Sequence, residues 1–168
     1  MIPKGNITVH LVGTEDIPAM TAHRLAYLIE MQGERPPEYL EKLKRELEAY
    51  FSDHIRSDNF IALVAVSQNR IMGYGALVLR SIPGDLNKPS YLEGDILNMY
   101  TLPHVRRQGV GTLILEKLLE LARSKGLSKV GLHTSKDGEH LYRSFGFSEP
   151  IYPYLELILP FKPTAIDH

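Results

Sequence analysis

Residues 91–126 place the strongest limit on what this chain can fold into. A β-rich run leads to Pro103, glycines follow at 109 and 111, and a helical stripe continues through Val110, Ile114, Leu118, Leu121 and Ala122 to Gly126. Proline has no amide hydrogen, so Pro103 must end the ladder of the strand before it. Gly126 supplies a natural helix stop. A strand, a glycine-bearing loop and a long helix in direct succession call for a mixed α/β architecture rather than an all-helical or all-strand one.

The remaining elements follow the same logic. Residues 7–12 form a short β-rich run, and Thr14 offers a side-chain cap for a helix carrying Ile17, Met20, Leu25, Leu28 and Ile29. After Gly33 and Pro36-Pro37, a second amphipathic helix buries Leu40, Leu43, Leu47, Tyr50 and Phe51. Residues 60–66 and 71–81 read as a hairpin closed by Gln68, Asn69 and Arg70. Residues 130–134 predict a strand, 137–144 a short helix, and Gly146-Phe147 opens a final strand pair ending over 154–159. The expected fold is α/β (α+β): one domain over 1–168, with a mixed, mostly antiparallel sheet of about six or seven strands and helices on both faces.

Several function classes are closed by composition. The chain has no cysteine, which excludes disulfides, thiolate catalysis and cysteine-ligated metals. The seven histidines are scattered, with none paired at helical ligand spacing, so no metal site is expected. A net charge of -1 gives no overall attraction to nucleic acid or anionic membrane. The opening residues lack the pattern of a secretory signal, and no apolar run reaches the ~18 residues of a membrane span. A cytoplasmic protein is expected.

The loop before the long helix carries the chemistry. First-turn amide hydrogens of a helix lack intrahelical partners and sit at the positive end of its dipole. Gly109 and Gly111 let backbone approach an anion closely, and Arg106 and Arg107 add positive charge, so a phosphate or diphosphate suits the loop. A solvated strand-to-helix turn is the plain alternative on the loop alone. A phosphate-binding P-loop would need a lysine before Thr112, and a dinucleotide fingerprint would need glycine where Ile114 stands. Gly73-Tyr74-Gly75, inside a predicted strand, reads as a bulge or a site of close packing.

Arg106-Arg107-Gln108-Gly109-Val110-Gly111 resembles the Gln/Arg-x-x-Gly-x-Gly/Ala loop of the GNAT superfamily of N-acetyltransferases. Met99-Tyr100-Thr101-Leu102-Pro103 is similar to its approach strand, and Leu141-Tyr142-Arg143-Ser144-Phe145-Gly146-Phe147 resembles its Leu-Tyr-x-x-x-Gly-Phe segment. The resemblance covers about residues 60–159. It implies that Arg106, Arg107, Gln108, Gly109, Val110, Gly111 and Thr112 hold the diphosphate of acetyl-CoA, the cosubstrate. It further implies that backbone groups of Met99, Tyr100 and Thr101 hold the pantetheine arm in a gap opened by a bulge. Tyr142 takes the place of the tyrosine that protonates the departing thiolate, a fitting task for a phenol of pKa ~10. Asp95, with Glu93 on the same strand face, takes the place of the acid that deprotonates the amine, though surface acids at a strand start would look the same. Asn98 is expected on the opposite face. Ser135 stands where many members have asparagine, and either contacts the pantetheine or caps the following helix.

The function implied is transfer of an acetyl group from acetyl-CoA to a primary amine, by direct attack, on a small molecule or a peptide. The alternative is a non-catalytic acyl-CoA-binding sensor. Nucleic-acid and membrane partners are not expected, and a homodimer through the C-terminal strands is compatible with the sequence.

Overall fold

The computed structural model describes residues 7–57 and 59–159; Met1–Gly5 and His168, given no targeting or ligating role above, lie outside them. The chain divides into two compact units, Met1–His133 and Thr134–His168.

In the first unit, strands β1 (Thr8–Leu11), β2 (Phe60–Ser67), β3 (Arg70–Pro83), β4 (Ser90–Thr101) and β5 (Lys129–Leu132) lie in the order β1-β2-β3-β4-β5. Every pairing is antiparallel except β4 with β5. The β2–β3 hairpin closes through Gln68 and Asn69, at φ 49° and 58°. Two consecutive left-handed residues match the twist of the flanking strands, so this tight turn forms without a glycine.

Helices cover both faces of the sheet. Ile17 and Met20 of α1 (Ile17–Gln32) and Phe51 of α2 (Pro37–Ile55) share a core with Val64, Tyr74, Ala76 and Tyr100. Alternation along β3 turns Gly73 and Gly75 to the other side, beneath α3 (Val110–Ser124). A β-carbon at Gly75 would lie 2.8 Å from Ile114 Cγ2 and 3.2 Å from Leu118 Cδ1. The Gly-Tyr-Gly segment is therefore a packing device: glycine admits the helix on one face, and tyrosine fills the core on the other. Gly73 allows no substitute, because a β-carbon there would lie 2.6 Å from the backbone oxygen of Tyr100. Gly73→Ala is expected to lower stability by about 1–3 kcal/mol, the usual cost of overpacking, read from the urea midpoint at unchanged slope.

Two expectations about element ends are corrected. Thr14 opens a 3-10 turn, and α1 starts at Ile17 after Asp16, whose Oδ2 accepts a hydrogen bond from the Gly13 amide at 2.9 Å. The second correction concerns the sheet, which has five strands among the described residues rather than six or seven. The expected C-terminal pair is not formed: residues 145–159 contain no strand, and Ile151, Tyr152, Leu155 and Leu157 are exposed. Local β-propensity marked this stretch, but a strand exists only where a ladder partner exists, and Pro150 and Pro153 each lack a donor.

The second unit contains α4 (Lys136–Ser144). Ser135 caps it, its hydroxyl accepting from the Gly138 amide at 3.3 Å. Arg143 bonds Glu139 Oε1 at 2.7 Å and also pairs with Glu149 beyond the left-handed Gly146. The guanidinium holds the Glu149 carboxyl down to about 2.

Candidate active site

The loop that opens α3 has the geometry its glycines suggest. Arg107 and Gly109 are both left-handed, at φ 62° and 86°, and Gly109 is the N-cap residue of the helix. Such a conformation costs a residue with a β-carbon about 1–2 kcal/mol, which explains glycine at the cap. Glycine has no side chain to fold back, so Gly109 itself makes no side-chain cap bond. The first-turn amides of Val110, Gly111 and Thr112 have no intrahelical partners and lie at the positive end of the helix dipole, which suits an anion. Gln108 fixes the loop by donating from Nε2 to the His104 carbonyl at 3.2 Å. A 3-10 turn at Pro103–Val105 leads the chain in from β4.

The strand beside the loop is split from its neighbour. The parallel ladder ends at Ile96 and Leu132, while β4 runs on to Thr101. Met99, Tyr100 and Thr101 therefore lie beyond the paired stretch, with backbone groups on that edge outside the ladder. On its other edge the same stretch carries a bulge. Tyr74 pairs with Tyr100 and Ala76 with Leu97, so β4 carries one residue more than β3 across this step, and Asn98 within it has φ 56°. The extra residue reverses the alternation. Asp95, opposite Val78, and Tyr100, opposite Tyr74, share the α1–α2 face, although an unbroken strand would separate them. A β4 edge without a ladder partner that leads to the start of α3 suits an extended chain with a diphosphate at one end.

A statistical model of the acetyltransferase (GNAT) family matches residues 25–147. The chain belongs to the GNAT family. A GNAT protein is an acyltransferase that uses acetyl-CoA as cosubstrate. Solved structures agree on the fold. A predicted acetyltransferase from Clostridium acetobutylicum, crystallised with acetyl-CoA, is 26% identical over 90% of this chain and 96% of its own, with TM-score 0.77. A GCN5-related N-acetyltransferase from Ralstonia eutropha is 18% identical over 90% and 98%, with TM-score 0.72. An aminoglycoside acetyltransferase from an uncultured soil sample is 23% identical over 93% and 99%, with TM-score 0.66. No curated protein sequence matches the chain significantly.

The other residues singled out in this GNAT chain have particular surroundings. Asp95 is partly exposed and pairs with Arg80 Nε at 3.3 Å. Glu93 is bridged by Arg80 at 3.3 Å and Lys129 at 3.1 Å. Tyr142 is 9% exposed in α4 and meets Phe147 edge-on, ring centres 5.9 Å apart. The Ser135 hydroxyl accepts from the Gly138 amide as a helix cap. Among the described residues, no three His, Asp or Glu side chains gather as a metal site, and no helix is long and apolar enough to cross a membrane.

The structure also brings in residues that sequence reasoning missed. Glu30, in the last turn of α1, receives both terminal nitrogens of Arg106 at 2.8 Å, and Tyr100 Oη donates to Glu30 Oε2 at 3.3 Å. Arg106 Nε donates to the Thr101 carbonyl at 3.1 Å, and its guanidinium lies 5.6 Å from the centre of the Tyr100 ring. Hydrogen bonding from Arg106 holds the Glu30 carboxyl below its ordinary range. Burial, reinforced by Glu30, pushes the Tyr100 phenol up. Because the folded-state value of Glu30 is depressed, its stabilising contribution is present above the ordinary carboxylate pKa and fades as pH falls through the depressed value. Nearby, beneath α1, Thr21 Oγ1, His23 Nδ1 and Tyr74 Oη are buried without a hydrogen-bond partner among the described residues. No local motif marks any of these groups. Glu30 and Arg106 are 76 positions apart, and only packing joins them.

Proposed function

We propose that the chain is a single N-acetyltransferase domain that moves the acetyl group of acetyl-CoA to a primary amine by direct attack. The observation that carries this reading is the start of α3 behind the left-handed Gly109, with no side-chain cap, in a chain of the acetyltransferase family. The family match runs without a break from 25 to 147, which supports one functional domain. Crystallisation of the Clostridium protein with acetyl-CoA supports the same cosubstrate.

In this reading, the amides from Arg106 to Thr112 hold the diphosphate, and backbone groups of Met99, Tyr100 and Thr101 hold the pantetheine arm. Acetyl-CoA supplies an activated thioester. An amine of pKa ~10 is mostly protonated at neutral pH, so it needs a base before it can attack. Asp95 serves as that base, and it must loosen its pairing with Arg80 to accept the proton. A preorganised amide of Met99 or Tyr100 donates to the carbonyl oxygen as negative charge develops there, an interaction worth about 3 kcal/mol or more in a dry site. Tyr142 returns a proton to the leaving thiolate.

The test is release of free CoA thiol from acetyl-CoA, with and without a panel of primary amines that includes small polyamines, amino acids, aminoglycosides and peptide N-termini. Amine-dependent release is expected for at least one class. Tight acetyl-CoA binding with no release across the panel would favour the sensor instead.

A further inference from the structure

Arg106 belongs to the phosphate loop by sequence, yet its side chain faces away from that task. The guanidinium commits both terminal nitrogens to Glu30 and its Nε to the last carbonyl of β4. It thereby reaches round the end of the sheet, from the loop that opens α3 on one face to the end of α1 on the other. The two halves of α1 are anchored differently. Its fully buried residues, Ile17, Met20 and Thr21, all lie in the first half. The second half contains none, and Gly33 ends the helix just beyond it. There the ties include the edge contact of Tyr27 with Tyr100, ring centres 5.6 Å apart, and the Glu30 pair.

The pair is weak as a source of stability. Arg106 and Glu30 are 42% and 39% exposed, and ion pairs so open to solvent contribute about 0–1 kcal/mol. Geometry is what it supplies: a planar guanidinium held bidentately fixes distance and orientation together. We propose that Arg106 and Glu30 are a positioning pair that couples coenzyme occupancy of the α3 loop to the placement of the second half of α1, the helix covering the sheet face that carries Asp95 and Tyr100. Anchoring the backbone of the loop on a diphosphate steadies Arg106, and Arg106 steadies Glu30. The acceptor side of the enzyme is thus set by the coenzyme side. This inference rests on the acetyl-CoA reading above.

Amide hydrogen exchange on the full chain tests it with acetyl-CoA as the only probe, beside calorimetry of acetyl-CoA binding and an unfolding midpoint for each variant. In the wild type, acetyl-CoA is expected to slow exchange in residues 24–32 by about fivefold or more, the lower end of ordinary coupling between sites. Glu30→Gln is expected to keep acetyl-CoA affinity within about fivefold, the size of the coupling itself, while losing the slowing in 24–32; Arg106→Gln, compared at saturating acetyl-CoA because its residue belongs to the binding loop, is expected to lose the same slowing. Slowing in 107–113 should persist in both. The exchanged pair Glu30→Arg with Arg106→Glu is expected to restore the effect on α1 in part, which a purely structural loss would not do. Two results would overturn the proposal: no slowing of α1 in the wild type despite measurable binding, or slowing retained in either single variant at saturating acetyl-CoA. Absence of any binding heat in the wild type would instead remove the acetyl-CoA reading, and the coupling with it.

Discussion

Gly111→Asp is expected to weaken acetyl-CoA binding by about 100-fold or more while leaving the unfolding midpoint unchanged or raised. The two effects separate because position 111 lies in the first turn of α3. Glycine inside a helix costs up to about 1 kcal/mol relative to better helix formers, and an acidic side chain in a first turn interacts favourably with the dipole. For the helix alone, aspartate is an improvement. For a bound diphosphate it is the reverse. Two like charges about 5 Å apart at an effective dielectric near 20 repel by about 3 kcal/mol, which is about two orders of magnitude in affinity. Calorimetry with acetyl-CoA and a thermal melt on the same sample decide the matter. Undiminished affinity would show that the diphosphate does not lie against these amides. Gly109→Asp should lose affinity too, but with a lower midpoint, because Gly109 is left-handed and aspartate there is strained.

The second large effect is expected at Tyr142. Tyr142→Phe keeps the ring and its edge-on contact with Phe147, and removes only the hydroxyl. If that hydroxyl delivers the proton to the leaving thiolate, turnover should fall by about 100-fold or more, in the ordinary range for loss of a general acid. Acetyl-CoA affinity should change little, since the diphosphate and pantetheine contacts are assigned to other residues. The pair of numbers is diagnostic: kcat falls with Kd held if the phenol acts in the transition state, whereas parallel losses mean it only shapes the binding site. Turnover equal to wild type, with whichever amine the panel identifies, would remove Tyr142 from the chemistry.

The elements that frame the proposed site were legible because their signals are local. The glycines at 109 and 111, the proline at 103 and the stripe of α3 are adjacent in sequence, and each has one strong conformational consequence. Asn98 shows the opposite case. Its placement opposite Asp95 followed from strict alternation, but the bulge adds a residue to β4, and the bulge registers only against β3. Glu30 was illegible for a related reason: its meaning depends on Arg106, and no periodicity spans the interval between them. The C-terminal stretch shows propensity without a partner. Residues 154–159 have the composition of a strand, yet pairing is a property of two segments, and one sequence window contains only one.

What the sequence determined by itself, then, was the succession of elements as far as α4 and a glycine-capped turn at the start of α3, because glycine conformation and hydrophobic period act within a few residues of one another. Tertiary structure alone decided that Asp95 and Tyr100 share a face, that β4 leaves its parallel neighbour after Ile96, and that Arg106 grips Glu30 across the sheet end. Register, splay and ion pairing between distant segments depend on where two pieces of chain meet in space, and that is set by the packing of the whole first unit rather than by either piece.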